Sequence, residues 1–208
     1  MAGLALRLTM IAVAALGAGC APSEPVVTSR PGPARLCIGL EPARCEAALA
    51  LLAERPVGDG VPRYVQVSTR LCDGPCPGAE RGAWGGHVLV EFADGREPAT
   101  IQFEVDGAAV VWRPVETVLA RVMPRSQQLV APTVGLTLGH CGLSSGIDVD
   151  GSYWDPVGYL DANEQDLISS ASATFHLDTP STATLRTLGG ATVQLIRHPG
   201  AKYLFPCD

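Results

Sequence analysis

The chain has 208 residues, with 15 lysines and arginines against 21 aspartates and glutamates, for a formal charge of −6. That acidic balance argues against nucleic acid as a partner and against electrostatic docking on anionic lipid. The 23 glycines and 17 prolines imply many turns and short elements, and they exclude a helical bundle.

An apolar run from Leu8 to Leu16 follows Arg7 and gives way to small residues. A bilayer span needs about 20 helical residues, so this run is too short to cross and fits the apolar part of a secretory signal. Residues 1–19 are accordingly expected to be a signal peptide. Leu16-Gly17-Ala18-Gly19-Cys20 resembles the bacterial lipoprotein signal: Ala18 and Gly19 are the small residues before the cysteine, and Gly17 stands where that family places leucine. The resemblance implies that Cys20 is lipidated, carrying palmitate-type acyl chains, and that the protein is lipid-anchored on the extracytoplasmic side of the cell membrane or in the outer envelope. The cysteine count fits independently. Seven cysteines are an odd number for an exported chain, and lipidation of one leaves an even set. Cys37, Cys45, Cys72, Cys76, Cys141 and Cys207 would then be available for three disulfides. Residues 20–35 contain Pro22, Pro25, Pro31 and Pro33 among small and polar residues, an extended tether of roughly 3 Å per residue.

Residues 36–124 are expected to form the first folded module. Pro42 at a first turn, followed by Cys45, Ala48 or Leu49, and Leu52 on one face, predicts a helix that ends at Arg55-Pro56. Cys37 is close enough in sequence to Cys45 for a bridge that pins the entering chain to this helix. Strands are predicted at Tyr64 to Arg70, His87 to Phe92, Ala99 to Val105 and Ala108 to Arg113, with Asp94-Gly95 and Asp106-Gly107 as hairpin turns. The module is thus a helix on an antiparallel meander. Cys72-Asp73-Gly74-Pro75-Cys76 places three residues between its cysteines, includes Gly-Pro and has no helix after it. A redox pair and a zinc site are both poorly served by this context, and it reads as a structural disulfide across a turn. The order of Cys37, a helix bearing Cys45, strands and a second cysteine pair resembles small secreted protease inhibitors of the subtilisin-inhibitor type. That resemblance implies a rigid protruding loop near Cys72 to Cys76.

Pro114 to Pro132 reads as a connection with a short helix or strand around Val115 to Met123, and the boundary between modules is placed at residue 125. Beyond it, His140-Cys141-Gly142, Asp150-Gly151, Trp154 and Cys207 resemble a module of uncharacterised exported lipoproteins of GC-rich bacteria. The resemblance implies a small β domain and names no activity. Asp150-Gly151 turns a hairpin between Ile147 to Val149 and Ser152 to Trp154. Later strands are predicted at Ser172 to Leu177, Thr182 to Leu188, Ala191 to Arg197 and Lys202 to Phe205, with turns at Gly189-Gly190 and Pro199-Gly200. The overall class is α+β, mostly antiparallel β, with residues 125–208 as a small all-β barrel or sandwich. Cys141 and Cys207 are placed to staple its two ends.

Three motifs suggest chemistry, and each lacks its context. Gly142-Leu143-Ser144-Ser145-Gly146 matches a nucleophile elbow, which requires a strand before the serine and a helix after it. Asp148, Asp150 and Asp155 resemble calcium carboxylates, but Gly146 and Val157 stand where a helix-loop-helix site needs its first and last ligands, so they read as turn residues. His140, His176 and His198 lack the spacing of a ligand pair and read as hydrogen-bonded structural histidines. Asp161 to Asp166 reads as a solvated loop, Trp84, Trp112 and Trp154 as core, and Lys202, the one lysine, carries no functional reading. The expectation is a membrane-anchored extracytoplasmic lipoprotein with a binding or structural role. It has no catalytic residue, no metal and no cofactor. Its partners are the membrane, through the N-terminal lipid, and an envelope protein or small ligand. The alternatives are a small extracytoplasmic hydrolase using Ser144 or a carboxylate pair, and a secreted-type protease inhibitor.

Overall fold

The computed structural model describes residues 32–69, 78–116, 119–123, 132–139, 142–145, 147–149, 151–161, 168 and 171–204. The signal segment, Cys20, most of the tether, Cys72, Cys76, His140, Cys141, Asp150 and Cys207 lie outside the described residues, as do residues 162–167 of the acidic loop.

The chain enters through strand β1 (Ala34–Ile38) and passes into helix α1 (Pro42–Glu54). Pro42 occupies the first turn, where its missing N–H costs nothing, and Cys45, Ala48 and Leu52 form the buried stripe expected from their spacing. A disulfide joins Cys37 on β1 to Cys45, across a Cα separation of 6.2 Å. Four strands then run as the predicted meander: β2 (Pro62–Thr69), β3 (Trp84–Phe92), β4 (Ala99–Asp106) and β5 (Ala109–Val115). Gly86 is required where β3 meets β2, because a Cβ there would lie 2.0 Å from the Ser68 carbonyl oxygen.

The remaining strands are β6 (Ala120–Val122), β7 (Thr133–Thr137), β8 (Ile147–Val149), β9 (Ser152–Leu160), β10 (Ser172–Thr179), β11 (Thr182–Thr187), β12 (Thr192–Arg197) and β13 (Lys202–Leu204). Eleven strands share one sheet, in the order β5-β4-β3-β2-β1-β9-β12-β11-β10-β7 with β8 against β9. β1 pairs parallel with both β2 and β9, and every other pairing in the sheet is antiparallel. The fold is therefore mostly antiparallel β with one helix among the described residues, as expected for its class. The barrel considered for residues 125–208 is not formed. β1 takes up one side of β9, so these strands extend an open sheet that ends at β5 and β7.

Two apolar cores sit on this sheet. One packs α1 on the meander through Cys45, Leu52, Val65, Val67, Val88, Phe92 and Phe103, and the other gathers Trp154, Phe175, Leu185, Leu195 and Ile168 from the second half. β1 contributes to both: Cys37 faces the helix core while Leu36 and Ile38 face the other. Trp154 belongs to the second core and meets Phe175 edge to face at 5.0 Å; Trp84 and Trp112 flank Phe103 in the first.

β9 is longer than the predicted hairpin arm, although it contains Pro156. Residues 152–154 pair with β8 and residues 158–160 with β1, both on the side opposite β12. Pro156 falls in the gap between those two partners, where no ladder bond needs its missing N–H. Its carbonyl accepts a hydrogen bond from the buried Tyr64 hydroxyl at 2.7 Å, which closes the gap.

Candidate functional site

The main concentration of buried charge gathers at the end of the sheet where β1 begins. Arg63 comes from β2, Glu91 from β3, Asp155 from β9, His198 from the turn after β12, and Lys202 from the start of β13. Asp155 is fully buried, and Glu91, His198 and Lys202 retain 5%, 8% and 7% exposure. Local structure aims each of them. The β2–β3 register steps from Pro62↔Phe92 to Tyr64↔Glu91, so Arg63 is the extra residue of a bulge, a device that redirects a side chain. His198 donates its backbone N–H to the Tyr153 carbonyl, and Gly200, at φ 79°, lets the following turn bring Lys202 back over the sheet.

The partners are mutually satisfied. Arg63 forks across both carboxylates, donating to Asp155 Oδ2 at 3.0 Å and to Glu91 Oε2. Lys202 Nζ lies 2.5 Å from Asp155 Oδ1 and 3.3 Å from Glu91 Oε1. His198 Nε2 is 2.8 Å from the Ala201 carbonyl oxygen, which can only accept, so that nitrogen carries a proton. Its Nδ1 faces Asp155 Oδ2 at 3.0 Å and Arg63 Nη2 at 2.7 Å. A neutral ring accepts from Arg63 there, and a protonated ring donates to Asp155. Two cations thus balance two carboxylates, with the imidazole wedged between. The Tyr64 ring lies beneath them, 5.7 Å from Lys202 Nζ and 5.9 Å from the Arg63 guanidinium carbon.

Burial alone would push the Asp155 carboxyl up. The His198 hydrogen bond and the charges of Lys202 and Arg63 outweigh burial and hold it below the ordinary range. Burial pushes the Tyr64 hydroxyl well up, and the neighbouring charges of Asp155 and Glu91 act in the same direction.

One ligand atom each from Glu91, Asp155 and His198 lie within 4.8 Å of one another, a spacing that a metal ion could occupy. The chemistry of the donor set does not favour one. The Lys202 ammonium already sits at the carboxylates, and a divalent ion would add two charges to a cluster that is already balanced.

Above the cluster opens a cleft of about 370 Å³. Arg63, Glu91 and His198 form its floor, the β3–β4 turn supplies one wall with Asp94 and Arg96, and Arg121 and Tyr203 supply the other. Arg121 on β6 and Tyr203 on β13 are direct cross-strand partners in a separate two-stranded sheet.

The other predicted residues lie elsewhere or outside the description. Ser144 is in a short 3₁₀ turn (Gly142–Ser145) followed by β8, not at a strand-to-helix elbow. Asp155, expected in a turn, is a buried strand residue whose carboxylate is consumed by the cluster. Asp148 is exposed on β8. His176 sits on the exposed face of β10, 2.9 Å from Thr133 Oγ1, so it does not join His198. Arg63 and Glu91 carried no prior reading. The available signal was Glu91 itself, a lone charge closing the apolar run Val88-Leu89-Val90. No protein-family model, curated protein or solved structure matches the chain.

Proposed function

We propose that this chain is an extracytoplasmic lipoprotein, held to a membrane through acyl chains on Cys20 and acting by binding or structural support rather than by catalysis. The observation that carries the reading is the Cys37–Cys45 disulfide. Disulfides persist in oxidising, extracytoplasmic compartments. This one also takes two of the six cysteines that remain once Cys20 is lipidated. Among the described residues no helix is long and apolar enough to cross a membrane. Two acyl chains give stable anchoring.

The binding role draws support from the charge cluster. His198 has Nε2 committed to the Ala201 carbonyl and Nδ1 to the Arg63–Asp155 pair, and both buried carboxylates are held by Arg63 and Lys202, so the cluster supplies a fixed polar floor instead of a free base. The test is fractionation of cells expressing the wild type and Cys20→Ser. The wild type is expected in the membrane fraction and released only by detergent. Cys20→Ser is expected to be either processed and soluble, or unprocessed and held at the membrane by its uncut signal segment, the two being told apart by the mass of the chain. A Cys20→Ser protein that is processed and still sediments with membranes contradicts the anchor.

A further inference from the structure

The cleft over the charge cluster differs in electrical character from the rest of the molecule. The chain as a whole carries a formal charge of −6, yet three guanidinium groups line this cleft against two carboxylates. The carboxylates are already satisfied. Glu91 is held by Arg63 and Lys202, and Asp94 is clamped by Arg96, whose Nη2 lies 2.6 Å from Asp94 Oδ2. Arg96 is itself shared with Asp59 at 2.7 Å. Arg121 has no ion-pair partner among the described residues, and it is exposed on a wall held in place by the β6–β13 pairing.

We propose that this cleft binds a small anionic ligand through a carboxylate or phosphate group. Arg121 is the contact that meets the anion. Arg63, fixed on the floor by its bulge and by Asp155, Glu91 and His198, has its charge balanced there, so the floor is polar and rigid and the uncompensated positive charge of the cleft is that of Arg121. Guanidinium is the group suited to this task, since its planar set of donors matches both carboxylate and phosphate oxygens. The Tyr203 ring, directly opposite Arg121 in the strand pairing, offers an apolar face and a hydroxyl to the rest of the ligand. A volume of about 370 Å³ falls within the range of small-molecule sites. A free divalent cation is the wrong occupant, because the carboxylates it would seek are already engaged.

This inference deepens the binding half of the proposed function and is independent of the lipid anchor. Loss of the anchor in fractionation would leave it standing, and its own failure would leave the anchor standing. The experiment is NMR titration of the chain from residue 32 to its end, with its disulfides intact, using inorganic phosphate and succinate as probes in low-salt buffer and glucose as the neutral control. Every described strand, helix α1 and both apolar cores lie within this span. Saturable shifts confined to residues around Arg63, Arg121 and Tyr203 are expected with at least one anion, weakening as salt is added and absent with glucose. The better of the two probes identifies the anionic group. Arg121→Glu is expected to weaken binding by roughly tenfold or more, the scale of one charge-assisted contact. Arg113→Glu, an equal change of net charge on β5 away from the cleft, is expected to leave binding unchanged. No saturable shift with either anion, or equal weakening by both substitutions, overturns the proposal.

Discussion

Lys202 Nζ and Asp155 Oδ1 lie 2.5 Å apart although 47 positions separate them in sequence, and both side chains are almost sealed from water. That pair fastens β13 to β9, and through Arg63 and Glu91 it reaches the meander of the first half. The charges therefore join parts of the sheet that the two apolar cores stabilise separately. A buried pair of this kind contributes little over an apolar substitute, but removing one partner strands the other.

Asp155→Asn is expected to lower unfolding free energy by about 3 to 5 kcal/mol, because Lys202 and Arg63 would lose a buried counter-charge. Urea unfolding followed by circular dichroism checks this. A change below about 1 kcal/mol, typical of an exposed pair, would contradict the burial described here.

The same carboxylate sets the acid limb of stability. Its folded-state value lies below the ordinary 3.8, so the unfolded chain binds the proton first as the pH falls. The stabilisation is fully present above that ordinary value and is lost as the pH drops through the folded one. Stability measured across this acid window is expected to fall steeply in the wild type and more gently in Asp155→Asn. Parallel curves would rule Asp155 out as the source.

Tyr64→Phe keeps the ring beneath Lys202 and Arg63 but removes the hydroxyl that donates to the Pro156 carbonyl. The buried carbonyl in the gap between β8 and β1 then has no donor. A loss of about 1 to 3 kcal/mol is expected from the same urea measurement. An unchanged midpoint would mean that another group fills the gap.

Breaking the Cys37–Cys45 disulfide by Cys45→Ala is expected to cost roughly 2 to 3 kcal/mol, the chain-entropy value for so short a loop. The thiol of Cys37 is buried, and it is expected to resist alkylation until the protein unfolds. Rapid labelling in native buffer would show that α1 separates from β1 once the bridge is gone.

Much of the first half was legible because its signals are local. The stripe of Cys45, Ala48 and Leu52, and the turns at Asp94-Gly95 and Asp106-Gly107, each depend on neighbours a few residues away. β1 was not legible. Leu36, Cys37 and Ile38 are buried on both faces and show no alternation, and their partners in β2 and β9 lie far along the chain. The run of short strands without a helix in the second half suggested a small barrel or sandwich, and nothing in that half signals that β1 pairs with β9 and extends one open sheet. Pro156 cut β9 short in the reading for a similar reason: only the gap between β8 and β1 explains how a proline sits mid-strand. The charge cluster was hidden because Arg63, Glu91, Asp155, His198 and Lys202 come from five separate segments, and no spacing in sequence records their meeting. Asp155 beside Pro156 looked like a turn, and burial made it a strand residue.

The central claim is the lipid on Cys20, since it fixes the compartment and the use of the other cysteines. Its most direct test is the intact mass of the protein extracted from its own membrane, measured before and after reduction with alkylation. The expected result is a chain beginning at Cys20 with two or three acyl groups, unlabelled until reduced and then labelled at Cys37, Cys45, Cys72, Cys76, Cys141 and Cys207. An unlipidated chain, or thiols at Cys72 and Cys76 that label before reduction, would contradict it.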